Sequence, residues 1–139
     1  MRRFVIDPNV LLSALRGPPH SPPALLLAAV RAEEVEAVAC PKLVAEVVRG
    51  LEKPYFRERI DEDEARKSVA RIERIVAMVD DPAEIEAILR DPADDYLVAL
   101  AREADAEAIV SGDRDLLDHG GLEPRAINAR EACELLGLI

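Results

Sequence analysis

The chain has no tryptophan and only two tyrosines and two phenylalanines in 139 residues. Modules that read single-stranded nucleic acid by stacking need exposed aromatic side chains, so base-stacking folds are excluded. Cysteine is equally scarce. Cys40 and Cys133 lie far apart with no Cys-x-x-Cys spacing, which excludes a dithiol redox pair and predicts two small buried apolar residues. No apolar run approaches the ~18 residues of a membrane span, and MRRFVIDPN lacks a signal-peptide core. A cytoplasmic protein without a membrane partner is expected. The length leaves no room for a second full domain, so residues 1–139 are read as one domain. Half the residues are hydrophobic and almost none of these are aromatic. An aliphatic core needing neither disulfide nor structural metal follows.

Positive charge is also in deficit. Lys and Arg number 18 against 28 Asp and Glu, a net charge of −10, which argues against a general nucleic-acid-coating protein and turns attention to where the acids lie. RFVI at residues 3–6 reads as a strand, followed by Asp7 as a helix cap with Pro8 at the first helical position. After the proline-rich break RGPPHSPP comes a helix, ALLLAAVRAE, then a strand, VEAVAC, then a helix opened by Pro41. The longest helix is expected from Asp61 to Met78, while residues 80–90 read as either a short helix or an extended piece. A helix headed by Asp91 to Asp95, the strand EAIVSGD, the short helix RDLLDHGG, the strand EPRAIN and the helix AREACELLG complete the chain. Such alternation predicts an α/β fold: a three-layer α/β/α sandwich around a mostly parallel sheet.

In open α/β sheets ligands gather beyond the carboxyl ends of the strands. Asp7 follows one predicted strand and Asp113 another, with Asp115 two residues further. Asp94 and Asp95 head the helix YLVALA. Glu46 stands in the apolar helix KLVAEVV, three residues after Leu43 and one before Val47, on or beside the face to be buried. Each has a plainer role open to it: Asp7, Asp91 and Asp113 as caps, Asp94 and Asp95 as first-turn acids, Glu46 as a partner of Lys42 or Arg49. One divalent cation would satisfy several of them at once. Mg²⁺ and Mn²⁺ prefer such oxygen ligands, and the only histidines, His20 and His119, stand in Pro- and Gly-rich loops.

With these residues in view, the chain resembles the PIN-domain family of metal-dependent ribonucleases, in particular VapC-like toxin components of toxin-antitoxin pairs. The likeness spans nearly the whole chain: FVIDPNVLLSAL, LVAEVV, DPADDYLVALA and IVSGDRDLL, in that order. It implies a PIN-like fold with Mg²⁺ or Mn²⁺ as cofactor, and Asp7, Glu46, Asp95 and Asp113 as catalytic, metal-binding acids. Asp115 becomes a further metal ligand, and Asn9, Asp94 and Ser111 accessory residues. Asp95 is preferred to Asp94 because it precedes Ala99 by four positions, as the family's acid precedes its Ala. Pro8 departs from the pattern, standing where the family usually has Thr or Ser.

The activity implied is hydrolysis of RNA phosphodiesters, with a cognate antitoxin and a second copy of the chain as expected partners. A catalytically idle interaction domain, or a role in RNA processing, are the alternatives. A phosphorylated receiver domain would need a Lys at a late strand end, which IVSGD and RAIN do not offer. From Lys42 to Arg74 the chain holds nine basic and eight acidic residues, so this segment is the expected landing surface for phosphates, with Lys53, Arg57, Arg66 and Lys67 as RNA-binding candidates.

Overall fold

The computed structural model describes residues 1–139. Phe4, Val5 and Ile6 of β1 (Arg3–Ile6) are all buried, the pattern of a central strand covered on both faces. β1 pairs in parallel with β2 (Glu36–Ala39) on one side and β4 (Ala108–Val110) on the other. Beyond them lie β3 (Ala77–Met78) and β5 (Arg125–Ile127), giving a five-stranded parallel sheet of order β3-β2-β1-β4-β5.

Helices α1 (Pro8–Arg16) and α2 (Pro22–Arg31) join β1 to β2, and α3 (Pro41–Leu51), α4 (Pro54–Arg57) and α5 (Glu62–Ile75) join β2 to β3. A 3-10 turn, Pro92–Asp94, leads into α6 (Asp95–Glu103) before β4; α7 (Arg114–Leu117) precedes β5 and α8 (Ala129–Leu135) closes the chain. The sheet grows from β1 to β3 in one direction and from β4 to β5 in the other. Right-handed crossovers therefore send the two sets of helices to opposite faces, the expected three layers. Helix α6 lies on β1 and β4.

One cluster of 33 buried residues forms the core; Phe4, Phe56 and Tyr96 are its only aromatics, and Cys40 and Cys133 are inside it as small apolar groups. No helix is long and apolar enough to cross a membrane.

Two differences from the sequence reading have physical causes. The helix expected through Met78 stops at Ile75, because Ala77 and Met78 pair with Val38 and Ala39 of β2. A two-residue edge strand at the end of an apolar helical run leaves no periodicity of its own. Residues 80–90 form no helix and no strand of the sheet. Asp81 in that segment does what Cys40 does not: its Oδ1 accepts from the Lys42 N–H at 2.8 Å and caps α3 from a distance.

Candidate active site

β1 and β4 are neighbours whose following chains depart in opposite directions, the switch point at which parallel sheets open a crevice. Asp7 ends β1. Its backbone N–H donates to Val110 O at 2.9 Å, carrying the ladder one residue past the strand. Its carboxylate caps α1, Oδ1 accepting from the Asn9 N–H at 2.9 Å. Ser111, fully buried just after β4, donates from Oγ to Asp7 Oδ2 at 2.8 Å and accepts from the Asp113 N–H at 3.0 Å. Asp113 in turn caps α7, Oδ1 accepting from the Asp115 N–H at 2.9 Å. One hydroxyl thus links the Asp7 carboxylate to the backbone that carries Asp113.

Both aspartates fill the plainer capping role and still have lone pairs to spare, since a carboxylate offers about four acceptor positions. Burial pushes the Asp7 carboxyl above its ordinary value, the Asn9 N–H and Ser111 hydroxyl oppose this, and the charge of Asp113 adds to the rise. A neighbouring negative charge and low solvent access both disfavour ionisation.

Glu46 is half-buried on α3, beside the buried Leu43 and Val47, with Arg49 Nη2 3.9 Å from Oε1. Asp94 ends the 3-10 turn without capping anything. Its carboxyl is pushed up to about 7, first by burial and then by the charges of Asp7, Asp91, Asp113 and Glu46. These acids share one electrostatic field. No three of them are drawn into a ready-made cation site, as expected of like charges with no counter-ion between them. The donor chemistry, oxygen throughout, nevertheless fits a hard divalent ion.

Asp95, preferred on sequence grounds to Asp94, faces elsewhere. It is buried, and its Oδ1 accepts from the N–H groups of Ile88 at 3.2 Å and Leu89 at 2.8 Å, anchoring the irregular segment to the start of α6. Asp94 is the acid whose carboxyl pKa is raised by the charges of Asp7, Asp91, Asp113 and Glu46. Asp115 is half-buried at the margin, with Arg90 Nε 3.9 Å away. Asn9 is exposed and reaches Asp7 through its backbone.

The basic segment is largely self-neutralised. Arg57 pairs with Glu62 at 3.0 Å, and Arg66 and Lys67 both pair with Asp63, at 3.1 and 3.2 Å. Of the four candidate RNA contacts only Lys53 is unpaired. Sequence reasoning passed over Arg90 and Tyr96. Tyr96, in the first turn of α6, is buried with its hydroxyl unpartnered, and a tyrosine inside an otherwise aliphatic run was the available signal. Two hollows of about 450 and 510 Å³ lie against α5 and contain none of these acids.

No curated protein matches the chain. Among solved structures it is similar to VapBC2 from Rickettsia felis bound to a DNA fragment from their promoter, at 12% identity and a TM-score of 0.61, covering 91% of this chain and 98% of that one. PAE2754 from Pyrobaculum aerophilum matches at 15% identity and a TM-score of 0.66, over 100% of this chain and 91% of the other. FitAB bound to the IR36 DNA fragment matches at 17% identity and a TM-score of 0.54, over 91% and 94%. At such identities these likenesses speak for the fold alone. The PIN domain family model matches residues 3–115, the stretch that runs from β1 through Asp7, Glu46, Asp94 and Asp113 to Asp115, and the chain belongs to that family.

Proposed function

We propose that residues 1–139 act as one metal-dependent endoribonuclease unit, the toxin of a toxin-antitoxin pair. The observation that carries this reading is the Ser111 hydroxyl linking the Asp7 carboxylate to the backbone of Asp113 at the β1/β4 crevice, in the field of Asp94 and Glu46. Asp7, Asp94 and Asp113 would hold Mg²⁺ or Mn²⁺, with Glu46 as ligand or proton acceptor and Asp115 as a further ligand. Bound there, the ion supplies a Lewis acid and lowers the pKa of a coordinated water.

This chain's own residues supply the rest. Ser111 fixes the spacing of the two aspartates, and Asp95 fixes the start of α6 and hence the position of Asp94. Arg90 and Arg49 lie beside Asp115 and Glu46 and, with Lys42 at the first turn of α3, would receive substrate phosphates. Such cations also offset the repulsion between an acidic pocket and RNA.

Similarity to VapBC2 bound to promoter DNA supports an antitoxin partner. A chain of net charge −10 is no DNA reader, so DNA contact in such a pair falls to the antitoxin. The chain pairs with a second copy, which light scattering of the purified protein tests; a monomer at high micromolar concentration counts against this.

The decisive assay is cleavage of single-stranded and structured RNA with Mg²⁺, with Mn²⁺ and with chelator. Cleavage that needs the ion and disappears in Asp113→Asn supports the reading. Pro8, which removes a hydroxyl where the family usually has one, favours a second reading as an idle interaction domain, and absence of cleavage with either ion would select it.

A further inference from the structure

Tyr96 is 1% exposed, and its hydroxyl is buried with no hydrogen-bond partner. A buried polar atom left unsatisfied costs stability, so most are paired. What surrounds this one points to the acidic pocket. Lys42 and Glu46 stand four residues apart on α3 and so share one face of the helix. The Lys42 Nζ lies 4.9 Å above the Tyr96 ring, which brings that face onto the first turn of α6. Glu46 is the acid whose charge bears most strongly on the phenol, ahead of Asp7. Glu46 therefore stands near the phenol, with Arg49 Nη2 3.9 Å from its Oε1.

We propose that Tyr96 is a positioning residue of the pocket: with Glu46 serving as a cation ligand, the Tyr96 hydroxyl would donate to its carboxylate and set its orientation. The proposal rests on the reading of these acids as a cation site. It accounts for a hydroxyl kept in a core where phenylalanine would fit, because the phenol has its acceptor in the loaded state. Groups that orient metal ligands in this way commonly contribute tenfold or more to metal affinity or activity.

A Tyr55→Phe background leaves Tyr96 the only tyrosine in a tryptophan-free chain, so near-ultraviolet absorption then reports this one hydroxyl. Adding Mg²⁺ is expected to move that absorption to longer wavelength, and Glu46→Gln to abolish the movement. Tyr96→Phe is expected to bind Mn²⁺ about tenfold more weakly by calorimetry, and to lower kcat by a similar factor with KM unchanged. Without metal it should melt no lower than the wild type, since only an unpaired hydroxyl has been removed. If the wild type binds the ion and cuts RNA while Tyr96 stays spectrally silent and Tyr96→Phe binds Mn²⁺ normally, Tyr96 is a core residue and the proposal is wrong. If the wild type neither binds the ion nor cuts, the nuclease reading itself fails and takes this proposal with it.

Discussion

Asp94 and Asp95 are neighbours with different surroundings, one raised in pKa by burial and by the charges of Asp7, Asp91, Asp113 and Glu46, the other lending its carboxylate to the N–H groups of Ile88 and Leu89. Substitution should separate them cleanly. Asp95→Ala leaves two backbone donors without their charged acceptor and is expected to cost about 2–4 kcal/mol in chemical denaturation. Asp94→Asn is expected to fold at least as stably and to lose about a hundredfold in RNA cleavage. The reverse pattern would return the metal-holding role to Asp95. The Asp94 carboxyl, near 3.8 when unfolded, is pushed up to about 7 by the fold. The native state therefore holds a proton that the unfolded state releases, so this group's contribution makes stability fall as pH rises from about 4 to 7. Metal-free thermal melts should show that decline, and Asp94→Asn should flatten it. The sequence reading preferred Asp95 by its spacing to Ala99, and that spacing carries no information about the 3-10 turn at Pro92–Asp94, which sets the helical phase.

Among the elements, those that carry Asp7 and Asp113 were legible because each combines a short aliphatic strand with an aspartate cap, a pattern visible within six residues. Strand β3 and the anchor of residues 80–90 were not, because both depend on partners far away in the chain, β2 for one and Asp95 for the other. The same distinction applies to Gly50 in α3, which the sequence gives no reason to single out. A Cβ at this position would lie 2.3 Å from Leu12 Cδ1 and within 3.3 Å of two more Leu12 atoms, so α1 and α3 meet through this glycine. Alanine would improve helix propensity by about 1 kcal/mol. Overpacking costs about 1–3 kcal/mol, and here the whole Leu12 isopropyl group must move. Gly50→Ala is therefore expected to lower stability by up to about 2 kcal/mol. It should also lower cleavage, since α1 begins at Asp7 and α3 carries Glu46. A variant that is both more stable and fully active would show that the two helices are not held at a critical separation.

For the molecule as a whole, electrostatics couples the site to the fold. Residues 42–74 carry nine basic and eight acidic groups, leaving nine basic against twenty acidic elsewhere, so the rest of the chain repels itself. Simple salt relieves such repulsion by screening over about 10 Å at 0.1 M, and a divalent ion bound in the pocket would do so locally and specifically. These effects can be told apart at matched ionic strength. NaCl should raise the melting temperature modestly in wild type and in Asp113→Asn alike. MgCl₂ should add a further increment in wild type alone. A ligand present at about a hundred times its Kd stabilises the native state by about 2.7 kcal/mol, worth roughly 5–10 °C in a domain of this size. Asn caps a helix about as well as Asp, so the substitution keeps the α7 cap while removing a charge from the pocket, and its lost increment would report the ion rather than damage to the fold. Equal responses to the two salts in wild type would mean that Asp7, Asp94 and Asp113 hold no ion, and that their crowding at the β1/β4 crevice serves the helix caps alone.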